Sequence, residues 1–489
     1  MTDTSSSPLQ TMTSPQAPKT STWTAAFALG GMVFVAAWLG IWGRPMGFLS
    51  AIWPANALLL GLLLQKPDWV RPGAAVGVAI GYISADLITG SRPEVAVLLS
   101  LANMAGVGAA WMLMHKQAFA TLFMQRQSSA LLLFMGTGLS ALTSAAIGGP
   151  VLTVFFNTPP LQAFSMWFGG EWLNYMIFLP MILGWPTRKL RGPDSDRRHP
   201  LLRAMPVFAV IALELTSYGL GGPGALAFSL PALLWCALSY RIFTLTVITA
   251  ALCLSKIVAI SLGSFDFTPA HFLETVSFRM GLSMLVLGPL AVAGSHMART
   301  ELMRQLRHAA NHDSLTDMLA RGAFLKQGQR ILERCKHDHQ SVAILMLDLD
   351  HFKQINDSYG HAGGDQLLRS FSHTLAQVLR GQDIVGRMGG EEFAVVLPHV
   401  DSKAALEIAE RINQATRALR VPAGEQTITA TVSIGLVHIA KPGEHQDLDM
   451  LLQHADQALY DAKAAGRDRV EARLWQAALS LLFSASSCP

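Results

Sequence analysis

Charge is scarce in this chain of 489 residues. Asp, Glu, Lys and Arg make up 14% of it, against roughly 25% in an ordinary soluble protein. Apolar residues reach 51%, which excludes wholesale disorder and argues against a simple soluble globule. Cysteine is scarce too. Cys236, Cys253, Cys335 and Cys488 are scattered and form no CxxC pair, so neither a disulfide framework nor a zinc site is expected. No basic stretch leads directly into a cleavable apolar segment, and the first apolar run reads as a retained span.

The charge that is present is unevenly spread. Residues 1–298 carry 16 Lys+Arg and 10 Asp+Glu, while the shorter stretch 299–489 carries 21 and 23. The mean hydropathy of +0.35 therefore averages an apolar, membrane-like part and an ordinary soluble part. Residues 1–22, rich in Ser, Thr, Pro and Gln, read as a disordered cytoplasmic tail. Residues 23–298 contain ten apolar stretches, near 23–42, 46–64, 73–90, 95–116, 129–156, 164–185, 204–219, 224–243, 244–263 and 274–298. Most approach the roughly 20 residues that cross a bilayer, and eight to ten transmembrane helices are expected.

Loop charge orients them. With ten spans and the N-terminus inside, the inner loops hold 14 Lys/Arg, six of them between Arg188 and Arg203, and the outer loops hold only Arg44 and Arg92. Basic residues stay on the cytoplasmic side, so the C-terminal part is expected in the cytoplasm, beneath the inner membrane. The basic excess lies beside the lipid bilayer, and the pI near 8.9 does not point to nucleic acid. Asp86, Glu171, Glu214, Lys256 and Arg279 fall within spans. Charge there is costly and marks functional candidates; structural pairing is the competing explanation.

Two segments, IWPANALLLGLLL from Ile52 and MWFGGEWLNYMIFLPMILGW from Met166, resemble the membrane-associated sensor domains of the MASE type, first class. The resemblance implies eight helices and a sensing role. Residues 299–312 read as a helical signalling linker, with Leu302, Leu306 and Ala309 on one face.

The soluble part, residues 313–473, alternates strands and helices, as an α/β sandwich does. Ser341–Leu347 is a short apolar run ending in Asp348-Leu349-Asp350, which reads as a buried strand delivering carboxylates at its end. Residues 364–379, 402–417 and 449–465 have helical periodicity. A hairpin is predicted over 384–398, turning at Gly389-Gly390, where positive φ is tolerated. Asp348 and the hairpin-tip acids Glu391 and Glu392 give three carboxylates on different elements. Such oxygen donors suit Mg²⁺ shared with substrate phosphates. Lys353, Lys463 and Arg467 are cations suited to a polyphosphate. The set points to phosphoryl or nucleotidyl transfer, although any one of these residues alone is adequately explained as solvated surface.

HDSLTDMLAR, DLDHFKQINDSYGHAGGDQLL, GGEEF, SIG and ALYDAKAAGRDRV occur in that order over residues 308–473. In order and spacing they resemble the GGDEF family of diguanylate cyclases. The resemblance implies a palm-like domain, related to nucleotidyl cyclases, with a central β-sheet flanked by helices. It implies condensation of two GTP into cyclic di-GMP and two pyrophosphates by a homodimer, with Mg²⁺ or Mn²⁺ as cofactor. By the same resemblance Asp348, the Leu349 carbonyl, Glu391 and Glu392 are the metal ligands, and Asp348, Glu391 and Glu392 the catalytic acids. Glu392 either binds a second metal or helps deprotonate the ribose 3′-hydroxyl. Phe352, Lys353, Gly389, Gly390, Lys463 and Arg467 are implied to contact substrate, and Asn356 and Asp365 to read guanine. Arg380, Asp383 and Arg411 match the family's RxxD inhibitory site, where the product binds. Ala320 and Asp468 stand where Asn is common in the family, without removing an implied ligand. A silent GGDEF receptor for GTP or cyclic di-GMP is the alternative. Residues 474–489 form a tail beyond the resemblance.

Overall fold

The computed structural model describes residues 22–42, 52–123, 126, 128–186, 200–221, 223–261, 272–424 and 426–474. The tails at 1–21 and 475–489, with Cys488, lie outside them, as do the basic loop residues Arg44, Arg188, Lys189, Arg191, Arg197 and Arg198. The chain divides into two compact units, Met1–Glu301 and Leu302–Pro489.

The first unit is helical: α1 (Thr22–Trp42), α2 (Ala55–Gln65), α3 (Pro72–Ile88), α4 (Pro93–Met114), α5 (Phe119–Leu122), α6 (Ser128–Phe156), α7 (Pro160–Leu183), α8 (Pro200–Leu220), α9 (Leu230–Ser239), α10 (Ile242–Ser261) and the larger part of α11 (Phe272–Asn311), whose last ten residues fall past the boundary at Glu301. Among the described residues, each of the ten apolar stretches seen in sequence overlaps a helix. Among the described residues six helices are long and apolar enough to cross a membrane: Trp23–Trp42, Pro93–Met114, Ser128–Phe156, Pro200–Leu220, Ile242–Ile260 and Phe272–Asn311. Helices α2 and α9 are short, at 11 and 10 residues. Prolines open α3, α4 and α7 at their first turns, where a missing N–H costs nothing. Many large apolar side chains are outward-facing, Phe27, Ile80, Leu101, Met112 and Leu131 among them. That is the surface a lipid-solvated bundle presents, with apolar residues on both its inner and outer faces.

The second unit is a three-layer α/β/α sandwich. Its elements are β1 (Leu319–Ala320), α12 (Arg321–His337), β2 (Val342–Leu349), α13 (Phe352–Val378), β3 (Ile384–Gly389), β4 (Glu392–Pro398), α14 (Ser402–Arg417), β5 (Val421–Ala423), β6 (Gln426–Ile428), β7 (Val432–Ile439), α15 (Leu448–Ala464) and β8 (Val470–Leu474). The main sheet has order β1-β3-β4-β2-β7-β8, and β2 runs antiparallel to both neighbours. β2 is buried along its whole length, as a central strand covered on both faces must be. Its residues alternate between two cores. Ala343, Leu345, Leu347 and Leu349 pack with α13 and α14, while Val342, Ile344 and Met346 pack with α12 and α15.

Two details of the sequence acquire a cause. The helix expected from residue 364 begins earlier, at Phe352, and is kinked where Gly360 has φ 71°. The SIG motif is a packing motif. A side chain on Gly435 of β7 would strike the backbone of α15 at Ala455 and Leu459, so only glycine lets that helix lie against the strand.

Candidate active site

The site starts from strand alternation. Asp348 continues the Ile344–Met346 row, so its carboxylate emerges on the α15 side of the sheet. In register, Asp348 lies opposite Glu392 of β4 and Ser433 of β7. Residues paired across adjacent strands project to the same face, and the two carboxylates share one. Glu391 sits in the turn just before. Lys463, in the last turn of α15, reaches over the sheet and its Nζ lies 2.8 Å from Asp348 Oδ2.

This is a cluster of like charges at a strand end. Burial pushes the Asp348 carboxyl up, and Glu391 and Asp350 add to the rise against the pull of Lys463. Glu392 is raised as well, first by burial and then by Asp348. A carboxylate group set that resists full ionisation calls for positive charge, and Lys463 supplies one unit of it. The donors are all hard oxygens, which fits Mg²⁺ or Mn²⁺ rather than zinc or copper.

The hairpin differs from expectation by one residue. Gly389 pairs with Glu392 across a register irregularity between Arg387 and Gly389, so the two turn residues are Gly390 and Glu391. Gly390 has φ 52°. Arg387, not singled out in the sequence, sets the turn. Its Nε and Nη2 donate to the Gly390 carbonyl at 2.9 and 2.7 Å, and its Nη1 donates to Asp313 at 2.9 Å. Asp313 belongs to the HDSLT segment, which gives that motif a mechanical role.

Asp350, read in the sequence only as one of the carboxylates at the end of the strand, acquires a role here. Buried, it accepts hydrogen bonds from Ser433 Oγ, Thr431 Oγ1 and the Asp468 backbone N–H. It ties the end of β2 to β7 and to the loop carrying Arg467. Asp468 in turn accepts from Arg417 Nε and Asn413 Nδ2. Its carboxylate thus has a cationic partner that the more common Asn could not pair with in the same way.

The remaining site residues are distributed as follows. Asn356 lies against the helix at Gly364, where any side chain would collide with its Oδ1, one residue from Asp365. Lys353 and Arg467 are exposed. The Phe352 side chain is buried in the core with α13, leaving only its backbone for a ligand. Arg380, Asp383 and Arg411 are neighbours: Asp383 Oδ2 accepts from the Arg380 backbone N–H at 2.8 Å, and both arginines act on its charge. Burial nonetheless raises the Asp383 carboxyl. Its Oδ1 is buried with no hydrogen-bond partner.

A family profile described as diguanylate cyclase, GGDEF domain, matches residues 310–469. The protein called probable diguanylate cyclase DgcF of Escherichia coli O157:H7 is 30% identical over 460 residues, covering 91% of this chain and 93% of that one. The chain belongs to the GGDEF family of diguanylate cyclases. Among solved structures, the coiled coil and GGDEF domain of DgcB from Caulobacter crescentus in complex with c-di-GMP is 28% identical, with TM-score 0.34, covering 36% of this chain and 92% of that one. The active GGEEF domain of a diguanylate cyclase from Vibrio cholerae is 29% identical, with TM-score 0.30, covering 32% and 98%. In this GGDEF protein the relationship to the Escherichia coli sequence extends well beyond the soluble domain, into the helical unit.

Of the five span residues singled out in the sequence, two pair with each other. Lys256 Nζ lies 2.9 Å from Glu214 Oε2, and Ser217 and Ser229 hydrogen-bond to the pair. Asp86, Glu171 and Arg279 instead line one cavity.

Proposed function

We propose that this GGDEF protein is an active, membrane-bound diguanylate cyclase that condenses two GTP into cyclic di-GMP and releases two pyrophosphates. The observation that carries the reading is the in-register pair Asp348–Glu392, with Glu391 beside it and Lys463 at 2.8 Å. Asp348, the Leu349 carbonyl, Glu391 and Glu392 would hold Mg²⁺ or Mn²⁺, which neutralises charge at the α-phosphate and acidifies the ribose 3′-hydroxyl. Lys463 and Arg467 bind the triphosphate, with Lys353 as a further phosphate contact, and the exposed backbone at Gly389 and Gly390 lets the nucleotide approach closely. The raised Glu392 carboxyl suits it to accept the 3′-hydroxyl proton. The new 3′-O–P bond forms as the bond to pyrophosphate breaks, and the leaving charge falls on the lysine and arginine side.

Asp365 and Asn356 select guanine. A carboxylate accepts from the N1–H and N2–H₂ edge, where adenine offers neither donor. Each domain holds one GTP, so ring closure needs two copies facing each other about a two-fold axis. Leu302, Met303 and Leu306, all exposed on α11, offer an apolar strip for that association. Arg380, Asp383 and Arg411 form the inhibitory product site. The unpartnered Asp383 Oδ1 is an acceptor for a guanine N–H, and the arginines match phosphate oxygens. The helical unit is a MASE-type sensor of the inner membrane that shifts how often the cyclase domains meet, with the GGDEF domain on the cytoplasmic side given by the loop charges.

The test is synthesis of cyclic di-GMP by the purified full-length protein with GTP and Mg²⁺, beside Glu392→Gln. Product from the first and a loss of at least a hundredfold in the second is expected. GTP binding without product would favour the silent receptor instead.

A further inference from the structure

A second group of metal-binding side chains lies away from the acid cluster, at the junction of α11 with the HDSLT segment. His308 stands in the last turn of α11, and the His312 backbone N–H still donates to the His308 carbonyl at 2.9 Å. The two residues are therefore one helical turn apart and on one face. Their rings stack, with centroids 4.1 Å apart and 22° between the planes. Asp317 turns back to meet them. His308 Nε2 lies 2.7 Å and His312 Nδ1 3.9 Å from Asp317 Oδ1, and His312 Nδ1 is 2.8 Å from the Asp317 backbone carbonyl oxygen. One ligand atom from each of the three lies within 4.8 Å of the others. All three residues belong to the second unit.

The backbone is shaped for this meeting. Asp317 has φ 59°, a left-handed conformation uncommon outside glycine. Its N–H donates to the Asp313 carbonyl at 2.9 Å, and the Asp313 N–H donates to the Met318 carbonyl at 2.8 Å, which closes the turn. The His308 and Asp317 side chains are 54% and 78% exposed, and an ion pair so open to water contributes little by itself. One carboxylate also needs only one of the two rings as a partner. Two imidazoles converging on it make a ligand set.

We infer that His308, His312 and Asp317 bind one Zn²⁺ ion, which fastens the end of α11 to the HDSLT turn. Two imidazoles and one carboxylate are donors that zinc accepts with water in the fourth position. Nitrogen donors favour it over the Mg²⁺ that suits the all-oxygen acids at Asp348. The scattered cysteines play no part. Ligand atoms around one zinc ion stand about 3.3 Å apart, for bonds of roughly 2.0–2.1 Å, and the exposure of these side chains leaves room for the rotation that brings them there. At 3.6 residues per turn the two histidines lie about 120° round α11 from Leu302 and Leu306, so the ion leaves that apolar strip free. The clamp also has a path inward. Asp313, whose carbonyl holds the Asp317 turn, accepts from Arg387 Nη1, and Arg387 grips the Gly390 carbonyl.

The experiment is a Zn²⁺ titration of the full-length protein in detergent, without a histidine tag, against a chromophoric chelator and in excess Mg²⁺ to occupy the acid cluster. Wild type is compared with His308→Gln and Asp317→Asn. Both changes are at exposed positions, and Asn tolerates positive φ as Asp does, which keeps the turn. Wild type should take up one Zn²⁺ per chain at this site. Each variant should bind it about tenfold more weakly or worse, since even changes outside the ligand shell cost 10–100-fold. Zn²⁺ should also slow amide hydrogen exchange across the α11–HDSLT junction in wild type and not in His308→Gln. Equal affinity in all three proteins would mean adventitious Zn²⁺ elsewhere and would overturn the site, as would no uptake by the wild type. Tight uptake with exchange unchanged would overturn the clamp. None of these readouts depends on cyclic di-GMP synthesis, so the site stands or falls apart from the cyclase reading.

Discussion

Two carboxylate sites, one in each unit of this protein, are arranged in opposite ways. In the helical unit Glu214 is neutralised on the spot by Lys256 through Oε2, and Ser229 and Ser217 hydrogen-bond to the pair, while Glu214 Oε1 is left without a hydrogen-bond partner. In the GGDEF domain Asp348, Glu391 and Glu392 are set against one another, with one lysine for three acids. A charge buried for structure is paired, because leaving it alone costs several kcal/mol. A cluster left under-neutralised stores affinity for a cation and for the phosphates that come with it. On the proposed reading, the difference separates a structural acid from acids that serve the reaction.

Neutralising one acid of the GGDEF cluster sharpens the contrast. Asp348→Asn should abolish cyclic di-GMP synthesis, with a loss on the order of a thousandfold, the scale of removing a key electrostatic contact to a transition state. It should not weaken the fold. The folded-state Asp348 carboxyl is raised, so at neutral pH its ionised form opposes folding, and a neutral amide removes that opposition. In EDTA the melting midpoint of the variant should equal or exceed the wild type, while stabilisation by Mg²⁺ with a non-hydrolysable GTP analogue disappears. A variant that melts markedly lower in EDTA would show that Asp348 is a structural acid like Glu214.

The converse change belongs to the helical unit. Lys256→Met leaves Glu214 buried and alone, and should cost about 3–5 kcal/mol, seen as a fall in the melting midpoint of the full-length protein. Replacing both residues, Glu214→Leu with Lys256→Met, should recover most of that loss, because a pair of apolar side chains needs no compensation. Failure of the double change to recover stability would mean the ion pair does more than neutralise itself.

The same contrast governs what the sequence discloses. The five motif blocks of the GGDEF domain are local, and each lies at one end of the sheet: DLD at the end of β2, GGEEF at the β3–β4 turn, the lysine of ALYDAKAAGRDRV on α15. The parts played by Arg387 and Asp350 were not legible, because their partners lie 74 and up to 118 residues away and no local pattern marks them. The turn was displaced by one residue for a related reason. Gly389 and Gly390 tolerate positive φ equally, so the sequence leaves two turns open, and the Arg387 grip on the Gly390 carbonyl chooses between them. In the helical unit hydropathy placed the helices, since the signal is local. It could not show that Glu214 and Lys256 pair, because pairing across 42 residues is a tertiary fact.

The smallest effect lies at the base of the hairpin and concerns an acid paired for structure inside the GGDEF domain. Asp313 Oδ1 accepts from Thr316 Oγ1 at 2.7 Å, the Thr316 backbone N–H at 3.0 Å and Arg387 Nη1 at 2.9 Å. Burial pushes its carboxyl up, but the Thr316 and Arg387 hydrogen bonds and the guanidinium charge outweigh that and hold it below the usual carboxylate range. An acid whose folded-state value is depressed stabilises the fold at every pH above its unfolded value, near 4, and loses that contribution as pH falls through the folded value. Partial exposure keeps the contribution to about 1 kcal/mol. Asp313→Asn should therefore melt one to a few degrees lower than wild type at pH 6–7, and the two curves should converge as the pH is taken below about 4. A gap that persists in acid would place the stabilisation in the packing of the HDSLT turn rather than in the charge on Asp313, and the carboxylate would then differ from Glu214 in kind and not only in degree.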